Sequence, residues 1–365
     1  MLLQSGTPVT SPPDANFVCR RIPTKALYAV DGSHGRGPLE ARQYKVSYDA
    51  QLELPGNTMS IASASGASPR FCGIYPMMYA FFGADGGLDH DAMRRQVRAC
   101  VQNGAHGIAV LGLATEVGKL TQDERRVLVQ LVTEEVAGRV PVAVTVAEPT
   151  VEAQAHFANW AAQQGASWVI LQPPPQRGLE QSFYAEFFAA VMDQTALPCA
   201  IQNAPEYIGV GLTAESIKRL VERCPNFVLL KGEGPVLNIQ AVIESVPGLA
   251  VFNGRGGLEL PDNLRAGCAG MIPATDTFDY QVRIFERMHS GVPADEEVAE
   301  RLYSEVLPAI VFTLQSLDTL ICYGKRVAAL RLGMSEVYDR TPALTATAFG
   351  MSCAHRYAQM LGPLA

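Results

Sequence analysis

Lys231 is the residue whose position in the sequence most favours covalent chemistry. It directly follows the apolar run Phe227–Leu230 and precedes turn-forming residues at 232–235, the pattern of a buried strand that ends in a loop. A lysine at a strand end is either a nucleophile or an ordinary side chain that reaches solvent where the strand ends. Because desolvation favours the neutral amine, Lys231 can attack the ketone of a 2-oxo acid and form an imine. The imine acidifies the C3–H bond, and the resulting enamine can attack an aldehyde or expel a hydroxyl group from C4.

This chemistry needs an acid/base group, and the segment after the second predicted strand supplies candidates. Residues 112–116 read Gly-Leu-Ala-Thr-Glu. Gly112 permits a tight bend and is predicted to bind substrate. We predict Glu116 as the general acid/base, assisted by Thr115. A loop glutamate can also be a solvated carboxylate with no catalytic role.

Polar residues at three further strand ends are predicted to complete the site. Gln202 and Asn203 follow the fifth predicted strand. We predict Gln202 as a catalytic residue that holds a water molecule, and Asn203 as a substrate-binding residue; alternatively, both amides satisfy loop backbone groups. Glu233, two residues after the candidate nucleophile, and Thr275, after the eighth strand, are predicted to bind substrate. Asp276 is predicted to be the N-cap of the next helix.

Eight short apolar runs, each followed by a helical pattern, predict the elements that position these residues. The runs begin near Gly73, Gly107, Pro141, Trp168, Pro198, Phe227, Ala250 and Gly270. Thr121 and Glu124 form a predicted capping box that opens one helix. The alternation predicts an α/β fold, a (β/α)8 TIM barrel over residues 70–291, in which the loops after the strands share one rim. A doubly wound open sheet is the alternative, and residues 292–365 are predicted to form a C-terminal helical extension.

The first 69 residues differ from the rest of the chain. They are rich in Ser, Pro and Gly and carry no amphipathic period, which is typical of a disordered tail. They lack a basic start followed by a long apolar stretch, so a secretory signal is not predicted. Organised sequence begins soon after Met59, and we hypothesise that translation starts there. A native peptide from residues 20–50, detected by mass spectrometry, would refute this start.

The composition argues against several classes of partner. A net charge of −7 and a pI near 5.5 leave no basic stripe to neutralise the phosphates of nucleic acid. No apolar run reaches the roughly 20 residues that a membrane span needs. The eight cysteines are scattered, without a Cys-x-x-Cys pair or a histidine cluster. We therefore predict reduced thiols, a cytoplasmic location and no metal site.

Four motifs together resemble the dihydrodipicolinate synthase / N-acetylneuraminate lyase family of Schiff-base enzymes. They are Gly112–Glu116, Asn203–Pro205, Lys231 and Ala266–Ile272, and the resemblance covers about residues 71–332. It implies that Lys231 forms the imine with no other cofactor and that the substrate is a small 2-oxo acid. It also implies that the helical extension packs beside the barrel in a homotetramer.

The chain departs from the family pattern at positions that determine the reaction. Leu113 and Ala114 replace two hydroxyl residues that usually hold the substrate carboxylate, so we expect backbone N–H groups to take that role. Gln202 replaces the usual catalytic tyrosine, and residues 172–176 contain no tyrosine. Together with the sequence Lys-Gly-Glu at 231–233, these features resemble the branch that contains 2-keto-3-deoxy-L-arabinonate dehydratase.

We therefore expect a Schiff-base lyase that acts on a 2-oxo acid, either a dehydratase or an aldolase of a 2-keto-3-deoxy sugar acid. One alternative is condensation of pyruvate with an aldehyde, as in 4-hydroxy-tetrahydrodipicolinate synthase. Another is a relative that binds a 2-oxo acid without catalysis.

Overall fold

A computed structural model describes residues 71–364 of the chain, and within them eight parallel strands alternate with helices. The strands are β1 (Gly73–Ile74), β2 (Ile108–Val110), β3 (Val142–Val146), β4 (Trp168–Leu171), β5 (Cys199–Asn203), β6 (Phe227–Gly232), β7 (Ala250–Asn253) and β8 (Gly270–Met271). Their order in the sheet is β1-β8-β7-β6-β5-β4-β3-β2. The predicted tail at residues 1–69 and the hypothetical start at Met59 lie outside the described residues.

The sheet curls until its outer strands, β1 and β2, approach each other. Met77, just beyond β1, forms a parallel bridge with Ala109 of β2. The rings of Tyr75, Trp168 and Phe252 contact one another with centroids 5.3 to 6.0 Å apart. Because β4 and β7, which carry the last two rings, are not neighbours in the sheet, this contact crosses its interior. The arrangement matches a (β/α)8 barrel, and the consecutive strand order excludes the doubly wound alternative.

Nine α-helices lie between the strands or directly after β8 within the described range, and a 3-10 helix (Val117–Lys119) precedes the second of them. They are α1 (His90–Gln102), α2 (Gln122–Val136), α3 (Val151–Gln163), α4 (Gln181–Met192), α5 (Pro205–Ile208), α6 (Ala214–Arg223), α7 (Val236–Ser245), α8 (Leu260–Arg265) and α9 (Phe278–His289). The predicted capping box is confirmed at the start of α2. Thr121 accepts a hydrogen bond from the Glu124 backbone, and the Glu124 carboxylate accepts one from the Thr121 backbone over 2.8 Å.

Further helices follow α9 and occupy much of the predicted C-terminal extension. They are α10 (Pro293–Thr313), α11 (Leu317–Thr319), α12 (Lys325–Arg331) and α13 (Ala348–Leu361), and a π-helical turn (Leu320–Gly324) joins α11 to α12. Arg331 of α12 forms a two-pronged ion pair with Asp279 of α9, with both N–O distances at 2.8 Å. This pair attaches the extension to the last barrel helix.

Within residues 71–364, no single helix has the length and apolar character of a membrane span. One bent pair, Pro293–Thr313 with Leu317–Arg331, meets both criteria only when its two parts are joined across a 107° bend.

Candidate active site

Lys231 lies at the carboxyl end of β6, and only 4% of its surface is exposed. Its Nζ atom contacts Oε1 of Glu233, which is buried to the same degree. A side chain at position 254 would collide with both residues, because its Cβ would lie 2.7 Å from Glu233 Cγ and 2.9 Å from Lys231 Cε. Gly254 therefore makes room for a lysine and a carboxylate to face each other inside the barrel.

A chain of side-chain amides extends from this pair across two neighbouring strands. Gln202, whose backbone is in register with Lys231, donates a hydrogen bond from Nε2 to Glu233 Oε1 over 2.7 Å. Gln172, the first residue after β4, donates in turn to Gln202 Oε1 over 2.8 Å. The structure thus brings together Lys231, Gln202 and Glu233, as their positions at strand ends predicted. Sequence reasoning missed Gln172, although a polar residue directly after an apolar strand was a usable signal.

A cavity of about 50 Å³ opens beside the lysine. Its lining residues are Met77, Leu113, Ala114, Tyr207, Lys231, Glu233, Gly254, Gly256, Ile272, Ala274, Leu314, Ser316, Leu317 and Leu320. Lys231 and Glu233 are the charged groups among them, and most of the others are apolar. An amine and a carboxylate in apolar surroundings interact more strongly than they would in water, which suits proton transfer between them.

The segment after β2 reaches the cavity through Leu113 and Ala114. Gly112 precedes them, and a Cβ at its position would lie 2.4 Å from Cε of Met77, so the close approach requires glycine. Among the described residues, neither the Leu113 nor the Ala114 N–H group donates a hydrogen bond. Thr115 is fully buried, and its hydroxyl donates to the Met78 carbonyl over 2.6 Å. The backbone, and not the Thr115 hydroxyl, therefore offers donors to a ligand.

Glu116 forms a buried ion pair and is not among the cavity-lining residues. Its Oε1 atom contacts Nζ of Lys325, and neither side chain has any exposed surface. Its Oε2 atom accepts a hydrogen bond from Lys119 over 2.6 Å. The residue is in the left-handed backbone region, with φ at 56°. Its predicted role as general acid/base, with Thr115, stays a prediction, and the structure does not bring either residue to Lys231.

Asn203 and Thr275, predicted to bind substrate, make contacts within the protein and are not among the cavity-lining residues. Asn203 accepts from the Leu212 backbone N–H over 2.6 Å and donates to the Leu212 carbonyl over 3.2 Å, which fixes the loop after β5. The Thr275 hydroxyl donates to Oε1 of Gln96 over 2.5 Å. Their predicted roles in substrate binding remain untested.

The prediction for Asp276 was wrong. Thr277 is the N-cap residue of α9, and Asp276 accepts hydrogen bonds from the Tyr79 hydroxyl over 3.1 Å and from Thr313 over 3.3 Å. Burial raises the pKa of the Asp276 carboxyl, and it raises the pKa of Tyr79 as well. The carboxylate is thus engaged by Tyr79 and by Thr313 of α10, and it does not cap α9.

Tyr207, in the short helix α5, lines the cavity and is a second residue of the site that sequence reasoning missed. Partial burial raises the pKa of its phenol, the nearby Glu233 charge adds to this rise, and a hydrogen bond with Arg255 opposes it. Its position two residues after Pro205, in the loop that Asn203 holds, is the only signal that the sequence offered. No group of three or more potential metal ligands occurs among residues 71–364.

A (β/α)8 arrangement with a buried strand-end lysine defines a class of barrel enzymes in which catalytic groups gather at the carboxyl ends of the strands. The chain belongs to the dihydrodipicolinate synthetase family, whose sequence profile matches residues 70–348. This confirms the family that the four motifs predicted.

Relatives with related names differ in how much of their length is matched. The L-2-keto-3-deoxyarabonate dehydratase of Azospirillum brasilense is 31% identical over 213 residues, which cover 56% of this chain and 69% of the dehydratase. A 4-hydroxy-tetrahydrodipicolinate synthase of Thermus thermophilus is 36% identical, over 52% of this chain and 64% of the synthase. The Escherichia coli K12 protein named probable 2-dehydro-3-deoxy-D-pentonate aldolase YjhH is 27% identical, over 76% of this chain and 93% of YjhH.

A solved structure supports the fold. YagE, a prophage protein of the dihydrodipicolinic acid synthase family from Escherichia coli K12, was crystallised in complex with pyruvate. It superposes with a TM-score of 0.74 at 21% identity, over 80% of this chain and 99% of YagE.

Proposed function

We propose that the protein is a lyase that forms an imine between Lys231 and a 2-oxo acid, and that it dehydrates or cleaves a 2-keto-3-deoxy sugar acid. The observation that carries this proposal is the buried contact between Lys231 Nζ and Glu233 Oε1 at the edge of an otherwise largely apolar cavity. Relatives named as a dehydratase and as an aldolase support the same pair of reactions.

Imine formation begins with transfer of the Lys231 ammonium proton to Glu233, which is already in contact with it. The neutral amine attacks the C2 carbonyl of the substrate, and the carbonyl oxygen takes one proton from the amine nitrogen and one from Glu233 and leaves as water. The backbone N–H groups of Leu113 and Ala114 are suited to bind the substrate carboxylate, since neither has another acceptor among the described residues. No cofactor is needed on this route, because the iminium itself is the electron sink.

Glu233 is then the nearest group for proton transfer at C3 and C4. Removal of the C3 proton by its carboxylate gives an enamine. In dehydration, the enamine electrons expel the C4 hydroxyl, which takes a proton from Glu233 and leaves as water. In cleavage, Glu233 removes the proton of the C4 hydroxyl from the imine, and the C3–C4 bond breaks to give an aldehyde and an enamine. After cleavage, Glu233 returns its proton to C3 of the enamine, which re-forms the iminium. In both reactions, water then hydrolyses the imine and restores the Lys231 amine.

Gln202 positions Glu233 in this scheme, in place of holding a water molecule. Glu116 and Thr115 are proposed to contribute through the shape of the loop at 112–116, since Glu116 is bound to Lys325 and Lys119 and Thr115 to Met78. The predicted acid/base role of Glu116 requires that its ion pairs break during turnover.

Borohydride reduction in the presence of pyruvate tests the proposal directly. The reduced imine should appear on the peptide that contains Lys231, and Lys231→Ala should abolish both trapping and turnover. Lys218→Ala, which removes an exposed lysine of α6, is the matched control and should change neither. An unmodified Lys231 peptide, with turnover retained in Lys231→Ala, would exclude the imine mechanism.

Condensation of pyruvate with an aldehyde is the second candidate, and the relative named as a synthase favours it. An assay with pyruvate and aspartate semialdehyde separates the two, because only a synthase should consume both. Binding of a 2-oxo acid without catalysis predicts trapping of pyruvate but no turnover of any 2-keto-3-deoxy acid.

The proposed partner is a 2-oxo acid alone, without nucleic acid or membrane. The assembly implied by the resemblance is a homotetramer, and light scattering on the purified protein tests it. A cytoplasmic location is likewise part of the proposal, to be tested by fractionation of the native cells.

A further inference from the structure

We infer that the preferred 2-keto-3-deoxy acid carries an apolar chain beyond C4, without hydroxyl groups on C5 and C6; this rests on the imine function proposed above. Three leucines of one short segment, Leu314, Leu317 and Leu320, line the cavity that holds Lys231, and we call them the leucine wall. Met77 adds further apolar surface to the same cavity. A polyhydroxylated substrate needs hydrogen-bond partners along its whole chain, but the leucine wall and Met77 present apolar side chains that form no such bonds.

The leucine wall is fixed by the backbone around it. Leu314 packs so tightly on the loop after β7 that a Cβ at position 256 would lie 2.4 Å from its Cδ1 atom. Gly256, with φ at +61°, permits that approach. Leu320 is the first residue of the π-helical turn, and such turns are frequent at functional sites. The wall is therefore packed against the loop after β7 at Leu314 and continues into the π-helical turn at Leu320.

Few polar side chains line the cavity, and most of them are engaged within the protein. The Ser316 hydroxyl accepts from the Thr319 backbone N–H over 3.1 Å, and the Thr319 hydroxyl accepts from the Ser316 N–H over 2.7 Å. The phenol of Tyr207, which is about one-third exposed, is the other hydroxyl of the lining. Glu233 is engaged by the imine lysine and by an amide, and the proposed reaction uses it at C3 and C4. Hydroxyl groups at C5 and C6 that face the leucine wall would therefore lose water without gaining a partner there.

The energetic consequence is large enough to set specificity. A hydroxyl that loses its hydrogen bonds to water in an apolar site costs about tenfold or more in kcat/KM. Apolar carbon in the same place gains affinity from burial. A deoxygenated chain should therefore be selected over a polyol of the same length.

Two matched acids test this selection. They are 4-hydroxy-2-oxohexanoate and 4,5,6-trihydroxy-2-oxohexanoate, each supplied with all its stereoisomers, and they differ only in the hydroxyl groups on C5 and C6. Loss of the C4 hydroxyl as water, or cleavage to pyruvate and an aldehyde, gives kcat/KM. The concentration for half-maximal borohydride trapping gives a second readout that does not need turnover. We expect the deoxygenated acid to be preferred by about tenfold or more in both.

Equal kcat/KM values and equal trapping concentrations for the two acids, or a preference for the trihydroxy acid, would overturn the inference. The imine function would still stand, provided that pyruvate is trapped on Lys231. Failure of both acids and of pyruvate to be trapped would instead overturn the imine function, and the inference with it. The wild-type protein alone gives these results, so they do not depend on a variant that folds.

Leu317→Asn tests the leucine wall itself. The new amide can bond to a chain hydroxyl, so the preference between the two acids should fall by about fivefold or more. Leu237→Asn, at a position of α7 that is 74% exposed, should leave the preference unchanged. A Leu317→Asn protein that keeps the wild-type preference and the wild-type circular dichroism spectrum would show that the wall does not set specificity.

Discussion

The side chain of Gln172 donates a hydrogen bond to the side-chain oxygen of Gln202 over 2.8 Å, and this contact fixes how Gln202 faces Glu233. Because the oxygen of Gln202 is occupied, its NH2 group is the end that faces the carboxylate, at 2.7 Å. Glu233 Oε1 thus accepts from Gln202 on one side and from Lys231 on the other. A residue that directly follows β4 and does not line the cavity thereby positions the proposed proton-transfer group.

Replacing Gln172 with Leu should lower kcat by about tenfold while pyruvate is still trapped on Lys231, because the Gln202 amide can then rotate. The pH profile of kcat should also shift, which a purely structural defect would not cause. Gln130→Leu is a matched control, since Gln130 makes an exposed amide contact with Gln164 over 3.1 Å. Wild-type kcat and pH profile in Gln172→Leu would contradict the positioning role.

Replacing Glu233 with Gln should lower kcat by about 10²-fold or more, since a positioned acid/base group contributes about that much. Pyruvate should still be trapped at saturating concentration, because Lys231 remains. Steady-state kinetics and borohydride trapping measure the two effects separately. Glu244→Gln, at an exposed position of α7, serves as the control; a Glu233→Gln enzyme with wild-type kcat would assign proton transfer to another group.

Replacing Lys325 with Met should destabilise the protein by about 3 to 5 kcal/mol, because the Glu116 carboxylate would lose its fully buried partner. Urea denaturation followed by circular dichroism measures the loss. Adding Glu116→Gln in the same chain should restore part of it, since the buried charge is then removed as well. If Lys325→Met is as stable as the wild type, the ion pair does not hold the loop at 112–116.

The His106 side chain should make stability depend on pH. Burial, and to a lesser extent the nearby His289, lowers the pKa of His106 to about 4, and its Nδ1 atom accepts a hydrogen bond from the Ile74 N–H over 3.2 Å. The unfolded chain binds the proton near pH 6.5, so the free energy of unfolding should fall by about 2 kcal/mol between pH 7 and pH 5.

Urea denaturation at the two pH values checks this dependence. The His106→Leu variant should show a smaller difference between them than the wild type does. The pKa of His289 is also lowered by burial, so a residual dependence of the same sign should remain. An identical pH dependence in the variant and the wild type would exclude His106 as the source.

The strand ends of the site were predictable because parallel strands bring successive carboxyl ends to one rim. Lys231, Gln202 and Glu233 were placed together by that rule alone. The first strand was less predictable. β1 has only two residues, since Pro76 carries no N–H group, and the pairing resumes as an isolated bridge at Met77.

The partner of Glu116 could not be predicted, because Lys325 lies 209 residues further along the chain. Local sequence describes a polar loop, and only the packing of the C-terminal helices shows that its carboxylate is neutralised. The leucine wall could not be predicted for the same reason. Leu314, Leu317 and Leu320 are spaced as ordinary helix residues, and nothing local indicates that they reach a cavity beside β6.

The ion pair between Glu116 and Lys325 also has a consequence for synthesis on the ribosome. Lys325 follows the last residue of β8 by 54 positions. At about 5 to 20 residues per second, all eight strands exist for roughly 3 to 11 s before Lys325 has been made. During that interval the Glu116 carboxylate has Lys119 but not yet Lys325 as a partner, so the loop at 112–116 gains its fully buried ion pair only after the C-terminal helices have been made.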